Sequence, residues 1–359
     1  MQRLFNISYS FIRQNNIFDN NQKEIRNLAA YGRAALMITL LFDKIPAIYV
    51  AAASLIVFLV TFFLTGKLKS KLPQDIGRAF AVNAEKAKGK PRGAGIIFVT
   101  VFCVLAFLFA PFDVEYSVYL VFLLFAMMTG FLDDASKIPW SDYKKGILDL
   151  LIALGVSITF AAHNSTTIDL RIISAIAGDN FSIEIPYVVY VILATVLIWM
   201  SINVVNCTDG VDGLCTTLSI ICLFTFLILT PEMDFVIYEI LFLLTMCGYL
   251  WYNAGPSQIL MGDAGSRTIG VFMAIAAMKC GDPILFIPIC IVFIVDGGIG
   301  LVKIFLKRFL KISILKNTRT PLHDNARKAK GWSDTQTVIR FDIIQLIICL
   351  CMIILLLFF

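Results

Sequence analysis

The residues best suited to chemistry lie in short polar segments between long apolar runs. The densest segment reads Asn203-Val-Val-Asn206-Cys-Thr-Asp209-Gly-Val-Asp212-Gly and places two amides and two carboxylates within ten residues. Polar side chains beside bilayer-length apolar runs are costly unless they line a wet site or bind an ion. The two Asp-Gly pairs are typical of turns. Taken alone, the segment would be a plain turn between two helices; with the segments below, it predicts a loop at one membrane face whose carboxylates face a cation.

Three further polar segments border apolar runs. Asp133 and Asp134 end one run as adjacent carboxylates, whose repulsion a cation or a shared proton would relieve. The sequence Gly-Asp263-Ala-Gly-Ser begins another run and offers an anion backbone N–H groups at the positive end of a helix dipole. His323, one of only two histidines, lies in the last polar loop. Each segment has an ordinary alternative: a solvated helix cap, a glycine-rich turn and an idle histidine.

Composition indicates a membrane protein. The chain of 359 residues is 59% hydrophobic and 15% charged, with a mean hydropathy of +0.84. We therefore predict an all-α, polytopic integral membrane protein, with one transmembrane domain over 45–359 and a separate N-terminal segment over 1–44. The net charge of +5 comes from basic residues in particular loops, so nucleic acid is not an expected partner. The nine cysteines form no Cys-x-x-Cys pair and indicate neither a zinc site nor a disulfide framework.

A membrane-spanning helix needs about 20 mostly apolar residues. On this criterion the sequence predicts ten spans. Their approximate bounds are 46–65, 94–112, 116–132, 147–162, 187–204, 214–230, 235–253, 268–280, 284–305 and 341–359. Two of them, 147–162 and 268–280, are short and are expected to extend into their flanks.

The basic residues orient these spans, because loops rich in Lys and Arg remain in the cytoplasm. The loops predicted to be cytoplasmic are 66–93, 133–146, 205–213, 254–267 and 306–340. All four polar segments then lie on the cytoplasmic side, as suits an enzyme that joins a soluble substrate to a lipid; a transporter would hold ionisable groups near the midplane. Residues 1–44 fit the rule poorly and are open to two interpretations, an interfacial helix or a further span over Leu28–Phe42.

Together the four segments resemble the polyprenyl-phosphate N-acetylhexosamine-1-phosphate transferase superfamily, glycosyltransferase family 4. That family has an Asp-Asp pair after a span, an Asn-x-x-Asn-x-x-Asp-Gly-x-Asp-Gly motif and a Met-Gly-Asp-x-Gly-Ser motif. It also has ten transmembrane helices and a cytoplasmic site. The resemblance covers nearly the whole chain after residue 45.

Within this superfamily the chain is most similar to the branch of phospho-N-acetylmuramoyl-pentapeptide transferases. The similarity rests on Gly130-Phe-Leu-Asp-Asp, on Leu250-Trp-Tyr-Asn, and on Gly331-Trp followed by Val338-Ile-Arg-Phe. Two segments depart from the pattern. The branch has three consecutive histidines where this chain has His323-Asp-Asn, and the family has Thr-Pro-Thr-x-Gly-Gly where this chain has Lys90-Pro-Arg-Gly-Ala-Gly. Both departures bear on which sugar nucleotide is bound.

The resemblance implies transfer of a sugar-1-phosphate from a UDP-linked amino sugar to undecaprenyl phosphate, a membrane lipid, with release of UMP. The expected cofactor is Mg²⁺, the expected location is the bacterial cell membrane, and a homodimer is possible in this family. Three hypotheses follow: the donor is UDP-MurNAc-pentapeptide, the donor is UDP-GlcNAc, or the chain is an ion-coupled transporter. Direct transfer and transfer through a covalent phospho-sugar intermediate both stay open.

The resemblance also assigns residues to roles. The residues expected at the reacting phosphates are Asp133, Asp134, Lys137, Lys145, Asp263 and His323. Those expected to bind substrate are Asn203, Asn206, Asp209, Asp212 and Asn253. Of these, Asp263 and Asn206 are expected to hold Mg²⁺, since hard oxygen ligands shared with substrate phosphates suit that ion.

Overall fold

A computed structural model describes residues 47–75, 77 and 88–358, so the prediction for 1–44 lies outside the described residues. The described chain is almost entirely helical. In chain order its helices are α1 (Ala47–Leu68), α2 (Gly95–Phe109), α3 (Val114–Asp134), α4 (Asp142–His163), α5 (Arg171–Ala177), α6 (Tyr187–Thr208), α7 (Leu214–Leu229), α8 (Met233–Asn253), α9 (Gly262–Lys279), α10 (Pro283–Ile289), α11 (Ile291–Leu310), α12 (Leu322–Ala329) and α13 (Asp334–Phe358).

Nine of the ten predicted apolar runs each form one helix, and the run 284–305 forms two, α10 and α11. Within the described residues, six helices are long and apolar enough to cross a membrane: α1, α3, α4, α6, α8 and α13. Helices α10 and α11 meet at a bend of 71° and together could form a seventh span, while α2 and α7 are shorter apolar helices. The chain is therefore a multi-pass membrane protein, and the number ten stays a prediction.

Helix α9 lies at the centre of the bundle, because every one of its residues is buried. It packs chiefly against α3 and α6. Small residues allow this close approach: a Cβ added at Gly270 would lie 2.6 Å from the Cα of Ile202 in α6. The middle of α9 is thereby held directly against α6.

A small β-hairpin is the main departure from the all-α prediction. Strands β1 (Thr167–Asp169) and β2 (Ser182–Glu184) pair antiparallel, with Ile168 opposite Ile183. The alternation of one apolar and two polar residues in each segment is the strand period. The hairpin lies beyond the C-terminal end of α4, at the end of the bundle opposite Asp263. It closes that end and leaves the helical class unchanged.

The predicted loop over 205–213 is shorter than the sequence indicated. Helix α6 continues to Thr208, so Asn203 and Asn206 lie on its last turns and only the residues from Asp209 to Gly213 form a turn. A helix satisfies its own backbone groups at a membrane boundary, and the amide side chains did not outweigh this. Gly213 has a φ of +86°, as predicted for an Asp-Gly turn.

A side chain from α13 stabilises the break between α10 and α11. The Nε2 of Gln345 donates to the carbonyl of Ile289 at 2.8 Å, and its Oε1 accepts from the N–H of Val292 at 3.0 Å. Backbone groups freed from a helix within a membrane need such partners. Gln345 therefore helps to fix the direction in which α11 leaves the bend.

Candidate active site

The predicted Asp-Asp pair and Asp263 meet where α3 ends and α9 begins. A Cβ added at Gly130 would lie 2.5 Å from the backbone nitrogen of Ala264, so the two helices touch through their backbones. Asp134 accepts a hydrogen bond from that same N–H at 3.1 Å. We call Asp133, Asp134 and Asp263 the acidic cluster, and the end of the bundle that carries it the site end.

Two cations bridge the acidic cluster. The Nε of Arg92 lies 2.8 Å from Asp134 Oδ1, and its Nη2 lies 3.4 Å from Asp263 Oδ1. Lys145 contacts Asp133 and lies 3.2 Å from Asp263 Oδ2. These cations neutralise carboxylates that would otherwise repel one another. They also place two positive groups beside Asp263.

The surrounding carboxylates hold Arg92 in its charged form. Burial by itself lowers the pKa of Arg92, but the charges of Asp134, Asp263 and Asp75 outweigh burial, and the pKa lies above its ordinary value. The charge of Asp209, in the turn after α6, also raises the pKa of Arg92. A permanently charged, half-buried guanidinium is suited to phosphate.

Asp212 joins three loops at the site end. Its Oδ2 accepts from Lys90 Nζ and from the backbone N–H of Ser257, both at 3.0 Å, and Lys90 also donates to Ser257 Oγ at 2.9 Å. Burial by itself would raise the pKa of Asp212, but the hydrogen bonds from Ser257 and Lys90 outweigh it and hold the pKa below its ordinary value. Asp212 is thus ionised and fixed at the edge of the site.

The two site amides have different surroundings. The Nδ2 of Asn206 donates to Ser266 Oγ at 2.9 Å, which ties α6 to the second turn of α9. Asn253 is buried, accepts from Thr216 at 2.9 Å and donates to the carbonyl of Ile259 at 3.1 Å. Asn253 therefore joins α7, α8 and the loop before α9, and its substrate role stays a prediction.

His323 is buried and oriented by a carboxylate. Its backbone N–H donates to Asp296 Oδ1 at 2.7 Å, and its Nδ1 lies 2.7 Å from Asp296 Oδ2. A Cβ added at Gly210 would lie 2.9 Å from the Cε1 of His323, so the ring meets the turn after α6. The idle, solvated histidine considered from sequence is therefore not what the structure has.

The departure at His323-Asp-Asn forms an ion pair. Asp324 lies 2.7 Å from Arg327, and Arg327 donates to the carbonyl of Gly210 at 3.1 Å. Helix α12 thus contacts the turn after α6 through a charged side chain.

Two predicted residues are not drawn into these contacts. Lys137 is exposed. The Nδ2 of Asn203 donates to the carbonyl of Trp199 within its own helix at 2.7 Å. Their roles at the phosphates and in the nucleotide pocket stay predictions.

Sequence reasoning missed three residues of the site: Lys90, Arg92 and Asp296. The first two were noted only as a departure from the family's early loop. Asp296 carried a usable signal, since an acid beside two glycines in an apolar run is rare without a function or a partner.

The residues present fit a magnesium ion that shares its ligands with substrate. In the described part of the chain, no three metal-ligating side chains lie close enough to hold an ion by themselves. Mg²⁺ commonly takes only one or two protein carboxylates and completes its shell with phosphate oxygens and water. Asp263 and Asn206 stay the predicted protein ligands of such an ion.

The sequence is similar to known proteins over most of its length. The model of glycosyl transferase family 4 matches residues 116–281, a range that holds the acidic cluster, Lys145 and Asn206. Phospho-N-acetylmuramoyl-pentapeptide-transferase of Treponema pallidum (strain Nichols) is 37% identical over 306 residues, which cover 79% of this chain and 84% of the relative. The protein of the same name from Clostridium botulinum (strain Alaska E43 / Type E3) is 33% identical over 300 residues, or 79% and 87% of the two chains.

Fold, site and family match define a multi-pass helical membrane protein of the glycosyl transferase family 4 class. The similarity to the treponemal and clostridial proteins spans most of both chains. The chain belongs to the phospho-N-acetylmuramoyl-pentapeptide-transferase family.

Proposed function

We propose that the chain transfers phospho-MurNAc-pentapeptide from UDP-MurNAc-pentapeptide to undecaprenyl phosphate, forming lipid I and UMP. The observation that carries the proposal is the acidic cluster bridged by Arg92 and Lys145 at one end of a membrane bundle. The names of the relatives indicate the pentapeptide donor. The site then joins a water-soluble nucleotide to a lipid at the membrane surface.

The chemistry requires positioning and neutralisation of charge more than a special reagent. An oxygen of the lipid phosphate attacks the phosphorus that carries the sugar, and the bond from that phosphorus to UMP breaks, with the bonding pair leaving on UMP. Arg92 and Lys145 stabilise negative charge on the diphosphate. Asp133 or Asp134 orients the lipid phosphate or accepts its proton. Asp263 and Asn206 would hold Mg²⁺, which would supply positive charge to offset the charge that develops on the leaving group.

An apolar groove supports a long lipid acceptor. A cavity of about 770 Å³ runs beside α6 and the bent pair α10 and α11. Its lining extends from Ile168 in the β-hairpin to Leu315 near the site end, and it is apolar throughout. Val295 and Gly298 line its wall on either side of Asp296, the residue that orients His323. We propose that the prenyl chain lies in this groove with its phosphate at the site end.

The same proposal places the site end in the cytoplasm. Lys307 and Arg308 lie at the site end of α11 and Lys311 directly follows it, while Lys137 lies in the loop after α3 and Lys144 in the first turn of α4. Basic residues at one end of a bundle indicate the cytoplasmic side. UDP-sugars would then reach the acidic cluster from the cytoplasm of a bacterial cell.

The transporter hypothesis receives less support. The spans contain buried carboxylates at Glu115, Asp149, Glu239 and Asp296. Asp149 pairs with Arg267 at 3.1 Å, Glu115 with Lys279 at 2.9 Å and Asp296 with His323 at 2.7 Å, while Glu239 accepts a hydrogen bond from Thr230 at 3.3 Å. Family membership also favours group transfer.

A parallel-donor assay tests the function. Purified full-length protein in detergent receives undecaprenyl phosphate and Mg²⁺ with either UDP-MurNAc-pentapeptide or UDP-GlcNAc, and UMP is measured. We expect UMP from the pentapeptide donor alone. UMP from UDP-GlcNAc alone would reassign the donor, and UMP from neither would contradict the transferase proposal.

A further inference from the structure

A second ion pair lies directly beneath the catalytic one. Lys145 and Asp149 are four residues apart on α4, and Asp263 and Arg267 are four residues apart on α9. Residues at this spacing lie above one another on a helix face. The Lys145–Asp263 contact of 3.2 Å is thus followed, one turn deeper, by the Asp149–Arg267 contact of 3.1 Å, with the charges exchanged between the two helices.

The deeper pair is buried at a cost. The side chains of Asp149 and Arg267 are 3% and 2% exposed, whereas Lys145 is 24% exposed. Within the described residues, Asp149 Oδ1 and Arg267 Nη1 are also buried without a hydrogen-bond partner. Desolvation of such a pair commonly offsets its Coulombic attraction, so stability alone is a weak explanation for it. Buried pairs are better known for fixing one register of packed helices.

The way α4 packs leaves its register against α9, that is, its position along that helix, to be set by side chains. Helix α4 packs on α3 and α6 rather than on α9. Polar side chains reach across instead: Lys145 to Asp263, Asp149 to Arg267, and Asn164 to Lys279 at the far end at 3.0 Å. The position of Lys145 over the acidic cluster therefore depends on long side chains, of which the Asp149–Arg267 pair is nearest.

We propose that Asp149 and Arg267 are positioning residues, which hold Lys145 between Asp133 and Asp263 by fixing the register of α4 against α9. The inference rests on the proposed function, because Lys145 matters only if charge develops at the acidic cluster. Misplacement of a catalytic group by about 1 Å can cost on the order of a hundredfold in rate. Loss of the pair should therefore lower kcat more than it changes donor binding.

The first test replaces both charges with leucine. In the double variant Asp149→Leu with Arg267→Leu, we expect an unchanged or higher melting temperature, because apolar replacement of a buried pair is often neutral or stabilising. We expect kcat for UMP release to fall at least about tenfold, with the donor KM within about threefold. Asn164→Leu, which removes the polar contact at the far end of α4, is the matched control and should keep kcat within about twofold. A folded double variant with kcat near the wild-type value would overturn the inference.

A mutant cycle separates positioning from general damage. If the pair acts through Lys145, adding the two leucines to Lys145→Gln should cost less than about twofold further, because the benefit is already lost. Independent, multiplying losses would overturn the inference. Wild-type turnover by Lys145→Gln alone would instead refute the proposed site.

A charge-conserving variant covers the case in which the leucine pair does not fold. Arg267→Lys keeps the charge but loses the planar geometry and reach of the guanidinium. We expect an unchanged melting temperature and a kcat at least about threefold lower. An unchanged kcat would overturn the inference.

Discussion

At the scale of single residues, Asp263 is the residue on which the proposed reaction depends most. It begins the buried helix α9, faces both Arg92 and Lys145, and is the proposed ligand of Mg²⁺. The change Asp263→Asn keeps the shape and removes the charge, so turnover should fall at least about a hundredfold. UMP release by purified protein measures this effect. Asp142→Asn, an exposed acid at the same end of the bundle, is the control and should stay within about twofold; equal losses in both variants would contradict the assignment.

The lowered pKa of Asp212 predicts how the stability of the fold depends on pH. Its pKa in the folded protein lies below the ordinary value, so its charged contacts stabilise the fold above about pH 4 and are lost as pH falls through the lower, folded value. The change Asp212→Asn should therefore lower the melting temperature equally at pH 7 and pH 5. The difference between wild type and variant should shrink only below about pH 4. Thermal unfolding in detergent measures it, and a difference that already shrinks between pH 7 and pH 5 would contradict this reasoning.

At the scale of secondary-structure elements, the close contact between α3 and α9 determines the position of the acidic cluster. A Cβ at Gly130 would lie 2.5 Å from a backbone nitrogen, which cannot move aside as a flexible side chain could. Gly130→Ala should separate the helices, move Asp133 and Asp134, and lower both the melting temperature and turnover.

A second helical glycine provides the comparison. At Gly146 of α4 the nearest heavy atom to an added Cβ is 4.0 Å away, on Trp199. Gly146→Ala should be neutral or stabilise by up to about 1 kcal/mol through helix propensity. Equal behaviour of the two alanine variants would contradict the close contact of α3 with α9.

Local sequence patterns predicted the helices well, but they did not predict the break after α10 or the contacts between helices. Each apolar run predicted from length is helical in the structure, and the Gly-Asp-Ala-Gly-Ser segment correctly begins α9. The hydrogen bonds of Gln345 at the break after α10 join residues more than fifty positions apart, so no local pattern could reveal them. Arg92 was missed for the same reason, because the carboxylates that it contacts lie on α3 and α9, far from it in sequence. The ion pair between Asp149 and Arg267 likewise joins two helices that are far apart in sequence, so it could not be predicted from either one.

At the scale of the whole molecule, the orientation in the membrane is testable. Lys137 at the site end and Ser182 in the β-hairpin at the opposite end are both exposed. A cysteine placed at Ser182 should react with a membrane-impermeant maleimide in intact cells, and one at Lys137 only after permeabilisation. The unsubstituted chain corrects for native thiols such as Cys351. The reverse labelling pattern would place the site outside the cytoplasm.

Composition and loop charge predicted a multi-pass membrane protein with its polar segments together, and the structure places those segments at one end of the bundle. The groove beside α6 could not be predicted, because it depends on the bend between α10 and α11. The homodimer and the number of ten spans stay predictions. The donor, acceptor and metal are proposals on which the mechanism depends.

The most direct measurement of the central claim follows the sugar itself. Purified protein receives undecaprenyl phosphate, Mg²⁺ and UDP-MurNAc-pentapeptide labelled in the peptide, and the label is partitioned between water and butanol. We predict that wild-type protein moves the label into the lipid fraction and that Asp263→Asn does so at least about a hundredfold more slowly. Label that stays in water with folded wild-type protein, or moves equally fast with Asp263→Asn, would contradict the account.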